Sequence, residues 1–191
     1  MLAQAAARVV VLPTQLFASI STLESPARVG WLVDLPPPPE IDPLVMTLVL
    51  DRVQDAGNVG SILRSASAFG VRQVLALKGT ASLWSPKVLR AGMGAHFGLA
   101  LREGLEIEAL AGLRVPLIAT SSQGALTLPE ARLPDPCAWV LGHEGQGVGE
   151  ELLARCALEL RIPQPGGEDS LNVAAAAAVC LYESARRRAP P

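Results

Sequence analysis

The chain has 191 residues, of which 50% are apolar, and it contains 17 glycines and 16 prolines. This composition excludes a disordered or coiled-coil protein and fits one globular domain that can bury its core without metal or disulfide staples. The formal net charge of −2 excludes a protein that coats nucleic acid through a broad surplus of Lys and Arg, so any such contact must come from local patches.

The first 41 residues carry scattered apolar side chains, and four consecutive prolines stand at residues 36 to 39. A proline run favours extended geometry and is typical of a linker, so we predict an arm over residues 1–41 and the main domain over residues 42–191. Pro13 and Gln15 interrupt the early apolar patch, and neither a signal peptide nor a membrane span is predicted. An organelle presequence is the alternative for this alanine-rich start.

From Leu44 onward, continuous apolar runs of strand length alternate with helical patterns. Runs that are apolar at every residue predict strands buried on both faces. This is typical of a mostly parallel sheet flanked by helices, so the predicted fold class is α/β. The five runs are residues 44–50, 71–77, 115–119, 138–141 and 157–162.

Helix boundaries are marked between these runs. Asn58 is predicted to cap a helix that ends at Phe69, with Gly70 free to adopt the left-handed stop conformation. Ser85 followed by Pro86 predicts the start of another helix.

The last helix is predicted over residues 171–188, beginning near Ser170 and ending in three arginines. Cations are favourable at this end of a helix, so the arginines either bind phosphate or form an ordinary solvated helix end. The stretch 174–179 is small and apolar all round, and we expect it to be buried or pressed against a partner subunit.

Several common motifs are missing from the sequence. It has no G-x-x-x-x-G-K-[ST] phosphate loop, no G-x-G-x-x-G loop after a strand and no G-x-S-x-G nucleophile elbow. With only His96 and His143 present, neither histidine-based catalysis nor a metal site is expected. The three cysteines (Cys137, Cys156 and Cys180) lack a Cys-x-x-Cys pair, so no disulfide framework is predicted and a reducing cytoplasm is the expected compartment.

Polar residues and glycines concentrate where three predicted strands end, over residues 51–64, 141–149 and 162–172. The carboxyl ends of parallel strands gather at one edge of a sheet, where ligands bind. The middle segment, L-G-H-E-G-Q-G-V-G, contains four glycines, which permit close backbone approach to a flat ligand. A plain glycine-rich turn is the alternative interpretation.

Together these segments resemble the SpoU branch of the knotted RNA methyltransferases. The family patterns N-x-G-x-x-x-R, G-x-E-G-x-G and I-P-M-x-G-x-x-x-S-L-N-V occur here in that order. Gln164 replaces the usual methionine, and Ala174 stands where the family often has a second serine. The matching residues are Asn58, Gly60 and Arg64, then Gly142, Glu144, Gly145 and Gly147, then I-P-Q-P-G-G-E-D-S-L-N-V over residues 162–173.

The resemblance implies a SPOUT methyltransferase fold, with a deep trefoil knot in its C-terminal part. It makes residues 42–191 a SpoU-type catalytic domain and residues 1–41 an arm, or the remnant of a substrate-binding domain with a proline-rich linker. The implied reaction is methyl transfer from S-adenosylmethionine to a ribose 2′-hydroxyl of structured RNA, either rRNA or tRNA, by a homodimer. The implied cofactor contacts are Gly142, Ile162 and Leu171.

The resemblance also implies a set of catalytic residues: Arg64, Asn58, Glu144, Ser170 and Asn172. A guanidinium stays protonated far above neutral pH. Arg64 therefore either removes the hydroxyl proton with help from a neighbouring phosphate, or holds that phosphate and orients the ribose. Glu144 is expected to anchor Arg64 or Asn58 through a charge-assisted hydrogen bond.

Each of these residues also has a purely structural interpretation. Asn58, Ser170 and Asn172 are residue types that cap helices, Glu144 fits a solvated turn and Arg64 fits a helix surface. For the whole chain, one alternative is a non-catalytic RNA-binding or ribosome-assembly factor that retains the cofactor site. Another is a small oxidoreductase with a non-standard dinucleotide site, which the fold class alone permits.

Overall fold

A computed structural model describes residues 6–21, 28–166 and 170–188 of the chain. The chain forms two compact units, residues 1–37 and 38–191. The first unit contains helix α1 (Thr14–Ile20), in which no residue is buried. The assignment of residues 1–41 to a separate arm stays a prediction.

The described part of the second unit contains a sheet of seven strands in the order β3-β2-β1-β6-β4-β7-β5. Every pair of neighbouring strands in it is parallel. The central strands β1 and β6 are buried along their whole length. The strands are β1 (Thr47–Leu50), β2 (Gln73–Leu77), β3 (Ala100–Leu105), β4 (Leu117–Thr120), β5 (Leu126–Thr127), β6 (Ala138–Leu141) and β7 (Leu158–Arg161).

The five apolar runs of the sequence are confirmed as β1, β2, β4, β6 and β7, with boundaries that differ by a few residues. The runs do not predict β3 and β5, which are the two edge strands of the sheet. Strand β3 has the sequence A-L-R-E-G-L, in which one residue is buried, three are half-buried and two are exposed, so it lacks a continuous apolar run. Strand β5 has two residues, which is too short for any pattern.

Helix α2 (Ala56–Ala68) is capped by Asp55, whose carboxylate accepts a hydrogen bond from the Asn58 backbone N–H at 2.8 Å. The prediction that Asn58 caps this helix is therefore wrong, and the Asn58 side chain is free for other contacts. Gly70 has a φ of 78°, which confirms the left-handed helix stop. The next helices are α3 (Pro86–Gly92), capped by Ser85 as predicted, α4 (Glu150–Leu153) and α5 (Val173–Arg188).

Apolar side chains from these helices cover both faces of the sheet. Helices α2, α3 and α5 contribute to the core on one face, whereas α4 and the 3-10 turn Ile107–Gly112 contribute to the core on the other. The predicted α/β class is confirmed. In the core beneath α5, the fully buried Trp139 of β6 donates its Nε1–H to Ser184 Oγ at 2.9 Å, which fixes the helix against the sheet.

The small apolar stretch 174–179 is buried on one side only. Ala177 is fully buried, whereas Ala175 and Val179 are exposed. Of the two expected alternatives, burial within one chain holds for one face of the stretch only, because α5 lies on the surface of the sheet and turns its other face outward. Contact of that outer face with a partner subunit stays a prediction.

The three cysteines are free thiols. Burial raises the pKa of the Cys137 and Cys180 thiols to about 12 each, so both are protonated at neutral pH. Within the described ranges, no group of His, Cys, Asp or Glu side chains is placed to hold a metal ion. No helix in this part of the chain is long and apolar enough to cross a membrane.

The carboxylate of Glu183 ties together the last turns of α5. It accepts hydrogen bonds from Nε and Nη2 of Arg186, both at 2.8 Å, and from Nε of Arg187 at 2.7 Å. The hydrogen bonds from Arg186, opposed by burial and aided by Arg187, lower the pKa of Glu183 to about 2. Arg187 also donates to the carbonyl of Leu128 at 2.9 Å, so this end of α5 is tied to the loop after β5.

We expect Glu183→Gln to lower the Tm at neutral pH and to have little effect near pH 2. The folded-state pKa lies below the unfolded value of roughly 4.3, so the ionised carboxylate stabilises the fold above that pH. This contribution is lost as the pH falls from about 4 towards 2. Thermal unfolding of the wild-type protein and of Glu183→Gln, followed by circular dichroism at several pH values, measures the difference in Tm. A Tm difference that does not shrink on acidification would contradict this origin of the stabilisation.

Candidate active site

The described residues of the three segments that carry the sequence motifs lie at one edge of the sheet. Residues 51–64 follow β1, residues 142–149 follow β6 and residues 162–172 follow β7. Strand β1 pairs with β6, and β4 separates β6 from β7, so the carboxyl ends of all three strands point the same way. This edge is where parallel sheets bind ligands.

One side chain from each segment joins a single chain of hydrogen bonds. The carboxamide of Asn58 donates from Nδ2 to Glu144 Oε1 at 3.2 Å, and Asn172 donates from Nδ2 to Asn58 Oδ1 at 3.0 Å. We call Asn58, Glu144 and Asn172 the polar triad. Residues separated by up to 114 positions are thereby connected at the sheet edge.

Backbone groups fix both ends of the polar triad. Glu144 accepts hydrogen bonds from the backbone N–H groups of Gln54 at 3.2 Å and Asp55 at 3.1 Å. Asn172 accepts with Oδ1 from the N–H groups of Ala174 and Ala175, at 2.9 and 3.2 Å. Asn172 therefore combines the capping role, which is confirmed, with a hydrogen bond to Asn58, whereas its catalytic role stays a prediction.

The donors around Glu144 determine its charge state. Burial alone would raise its pKa, but backbone N–H groups, that of Asp55 foremost, and the Asn58 carboxamide together hold the pKa below its usual value. Glu144 is therefore ionised at neutral pH and acts as an acceptor. Of its two expected partners, Glu144 is hydrogen-bonded to Asn58 and forms no hydrogen bond or ion pair with Arg64 in the described structure.

A second anchor, which sequence reasoning missed, holds the loop 142–149. Asp51 follows β1 directly, is buried, and accepts from the Gly149 N–H at 2.7 Å. It also accepts from Nε and Nη2 of Arg52 at 3.0 and 3.1 Å, while Arg52 Nη1 donates to Gln146 at 3.0 Å. Arg52 has a φ of 58°, in the left-handed region that few non-glycine residues adopt. The sequence feature that could have identified Asp51 is an acidic residue placed directly after a buried strand.

The loop 142–149 folds back on itself. His143 and Gly147 exchange backbone hydrogen bonds of 3.0 and 2.8 Å, and His143 Nδ1 accepts from the Gly145 N–H at 3.0 Å. A Cβ atom on Gly142 would stand 2.1 Å from the Gly147 carbonyl carbon. Gly142 is thus required by the loop's own backbone, and the loop presents Glu144 to the polar triad.

A groove of about 710 Å³ lies beside the third segment. Ile162, Ser170 and Leu171, all named from the sequence, line it, whereas Gly142 does not. Its other lining residues include Leu128 and Pro129, so the walls are mainly apolar. Two of the three expected cofactor contacts therefore share one groove, and Ser170 lies in it without a contact to the polar triad.

Arg64 lies apart from the polar triad. Its side chain is exposed on α2 and makes no hydrogen bond or ion pair with any residue that the structure describes. One turn earlier, Gly60 packs so closely on α3 that a Cβ there would stand 2.3 Å from that of Ala91. Three residues later, Ser67 Oγ lies 3.6 Å from the Cβ position of Gly98. Arg64 thus faces the segment that joins α3 to β3.

Comparison with known proteins identifies the family. A sequence model of the SpoU rRNA methylase family matches residues 45–182. The chain belongs to this family. It is 32% identical over 169 residues to the 23S rRNA (guanosine(2553)-2′-O)-methyltransferase RlmP of Bacillus subtilis, an alignment that covers 87% of this chain and 68% of that protein.

Solved structures of similar proteins share the fold. A protein of the TrmH family of RNA methyltransferases from Porphyromonas gingivalis superimposes with a TM-score of 0.80 and 39% identity, over 92% of this chain and 73% of that one. The SpoU methyltransferase AviRb from Streptomyces viridochromogenes, solved in complex with AdoMet, has a TM-score of 0.71 and 28% identity, over 79% and 63% of the chains.

The predicted family and the SPOUT-type α/β fold are thereby confirmed. RlmP is named as a 2′-O-methyltransferase, and AviRb was solved with AdoMet. Both agree with the predicted reaction class and cofactor. The chain spans 56% to 68% of the length of three curated relatives that it matches. The roles of individual residues stay predictions.

Proposed function

We propose that this chain transfers a methyl group from S-adenosylmethionine to a ribose 2′-hydroxyl of structured RNA, either rRNA or tRNA. The observation that carries the proposal is the polar triad, because it joins one residue of each SpoU motif at the ligand-binding edge of the sheet. The groove is lined by Ile162, Ser170 and Leu171, which belong to the same third segment.

The volume and the lining of the groove support cofactor binding there. Its walls of Leu128, Pro129 and Ile162 offer apolar surface for a flat base, and Ser170 offers a hydroxyl. Its volume of about 710 Å³ lies within the usual range for small-molecule sites. S-adenosylmethionine supplies an electrophilic methyl group on a positively charged sulfur, and the residues of the chain hold the donor and the hydroxyl in line.

We assign positioning roles to the polar triad. Glu144 is ionised and surrounded by donors, so it is a poor proton acceptor and serves to orient Asn58. Asn58, whose carboxamide oxygen accepts from Asn172, orients the ribose through its remaining hydrogen-bonding capacity. We place Ser170 at the boundary between cofactor and substrate, because it lines the groove two residues before Asn172.

Arg64 is the residue that we assign to the reacting hydroxyl and its neighbouring phosphate. Its guanidinium is exposed and has no partner among the described residues, so it is available to an incoming phosphate. It faces the segment that presents Phe97, 86% exposed, and Met93, 72% exposed. An exposed ring and a guanidinium on neighbouring segments suit a nucleotide, since a ring can stack on the base while a guanidinium binds the phosphate.

Further features of the proposal rest on the family. We propose a homodimer in the cytoplasm, a C-terminal trefoil knot and an N-terminal arm over residues 1–41 that contributes to RNA binding. The exposed outer face of α5, which includes Ala175, supports a subunit contact.

The test is transfer of tritiated methyl from S-adenosylmethionine to unmodified rRNA and tRNA, followed by nuclease digestion and mass spectrometry of the nucleosides. We expect label in 2′-O-methylated nucleosides and inhibition by S-adenosylhomocysteine. Label in methylated bases alone would overturn the assigned reaction. RNA binding without any transfer would support the non-catalytic factor instead, and saturable binding of a nicotinamide cofactor alone would support the oxidoreductase.

A further inference from the structure

We propose that Gln164 is a specificity-determining residue of the groove, and that its carboxamide binds the amino edge of the adenine ring of S-adenosylmethionine. This inference rests on the proposed function and names a residue that takes part in it. Gln164 stands at the position where the family pattern has methionine, whose side chain cannot form such hydrogen bonds.

The first observation is an unsatisfied acceptor. The Oε1 atom of Gln164 is buried and has no hydrogen-bond partner among the residues that the structure describes. Buried polar atoms are nearly always paired, because an acceptor removed from water without a new donor loses free energy. A ligand that brings a donor to this atom would restore the missing bond.

The second observation is where this acceptor lies. Gln164 lines the groove together with Ile162 and Leu171, the two residues that the family patterns assign to the cofactor. Pro163, the neighbour of Gln164, also lines it, as does Leu128 on the loop after β5. A carboxamide set among apolar walls gives direction to a ligand that is itself flat and mainly apolar.

The chemistry of the groove selects among the donors of the cofactor. The ammonium group of the methionine moiety carries a positive charge and is best matched by a carboxylate. Among the described residues that line the groove, the one carboxylate is that of Glu183, and it already accepts hydrogen bonds from Arg186 and Arg187. The adenine edge instead presents an amino donor beside a ring-nitrogen acceptor, and a glutamine carboxamide matches this pair in one plane.

The experiment is isothermal titration of two ligands without RNA, so that an adenine of the substrate cannot contribute. One ligand is S-adenosylhomocysteine, and the other is its analogue with unsubstituted purine in place of adenine. We expect the wild-type protein to bind the adenine compound about 10-fold more tightly, the effect of one well-formed hydrogen bond. In Gln164→Met we expect this preference to fall to about twofold or less.

Gln15→Met is the matched control, since Gln15 is exposed on α1 in the other compact unit. It should keep the full preference for adenine. Equal affinity of the wild-type protein for both ligands would overturn the role of Gln164 and leave the proposed function intact, whether or not the variant folds. A preference for the adenine compound that persists unchanged in Gln164→Met would also overturn the role of Gln164 and leave the proposed function intact. Failure of the wild-type protein to bind either ligand would overturn the proposed function itself, and this inference with it.

Discussion

Arg64→Ala is expected to lower the rate of methyl transfer to RNA by about 10²-fold or more, while the affinity for S-adenosylhomocysteine stays close to that of the wild-type protein. The reason is the position of Arg64, which is exposed on α2 and absent from the groove lining. Its loss removes a contact to the reacting nucleotide and leaves the fold undisturbed. Single-turnover transfer and calorimetric titration measure the two effects separately.

A conservative variant distinguishes the two roles that remain open for Arg64. Lysine keeps the charge but loses the planar fork that binds phosphate through two hydrogen bonds. If Arg64 holds phosphate, Arg64→Lys should raise the KM for RNA and leave the pH dependence of kcat unchanged. If Arg64 accepts the hydroxyl proton, the pH dependence of kcat should shift, because the two side chains have different pKa values.

Arg72→Ala is the matched control for Arg64→Ala. Arg72 is also exposed, but it immediately precedes β2 and so lies at the amino end of the sheet, opposite the polar triad. Its replacement should leave methyl transfer within about twofold of the wild-type rate, which corresponds to about 0.4 kcal/mol. If Arg72→Ala lowered the rate of methyl transfer as much as Arg64→Ala does, transfer would depend on the general positive charge of the surface. Full activity of Arg64→Ala would remove Arg64 from the site.

The sheet could be predicted from the sequence because its central strands are buried on both faces. Such strands need apolar side chains at every position, as in A-W-V-L of β6, and this leaves a local signal. Strand β3 escaped prediction because an edge strand is half solvated and tolerates Arg102 and Glu103. The order of the strands depends on pairings between distant segments, which no local pattern contains.

The candidate site shows the same division between local and distant information. The motifs named Asn58, Glu144 and Asn172, but the hydrogen bonds among them join residues 86 and 114 positions apart. The capping role was assigned to the wrong residue because Asp55 and Asn58 are equally good capping types and stand three positions apart. Asp51 went unrecognised because its partner, Gly149, is 98 positions away.

Gly142→Ala is expected to destabilise the protein by about 1–3 kcal/mol and to suppress methyl transfer, because the loop 142–149 has no room for a side chain. The added Cβ would stand 2.1 Å from the carbonyl carbon of Gly147 and 2.2 Å from the backbone nitrogen of Val148. These are backbone atoms, so relief requires the loop to move. The loop is held by the bond from the Gly149 N–H to Asp51, and any shift displaces Glu144 from Asn58.

Urea unfolding followed by circular dichroism measures the loss of stability, and Gly112→Ala provides the control. Gly112 ends a 3-10 turn on the surface, and a Cβ there would meet no atom within 4 Å, so this variant should stay within about 0.5 kcal/mol of the wild-type protein. An unchanged unfolding midpoint for Gly142→Ala would mean that the loop can open without cost. The polar triad would then lack the rigid support from which its positioning role follows, since a Glu144 free to move cannot hold Asn58 in one orientation.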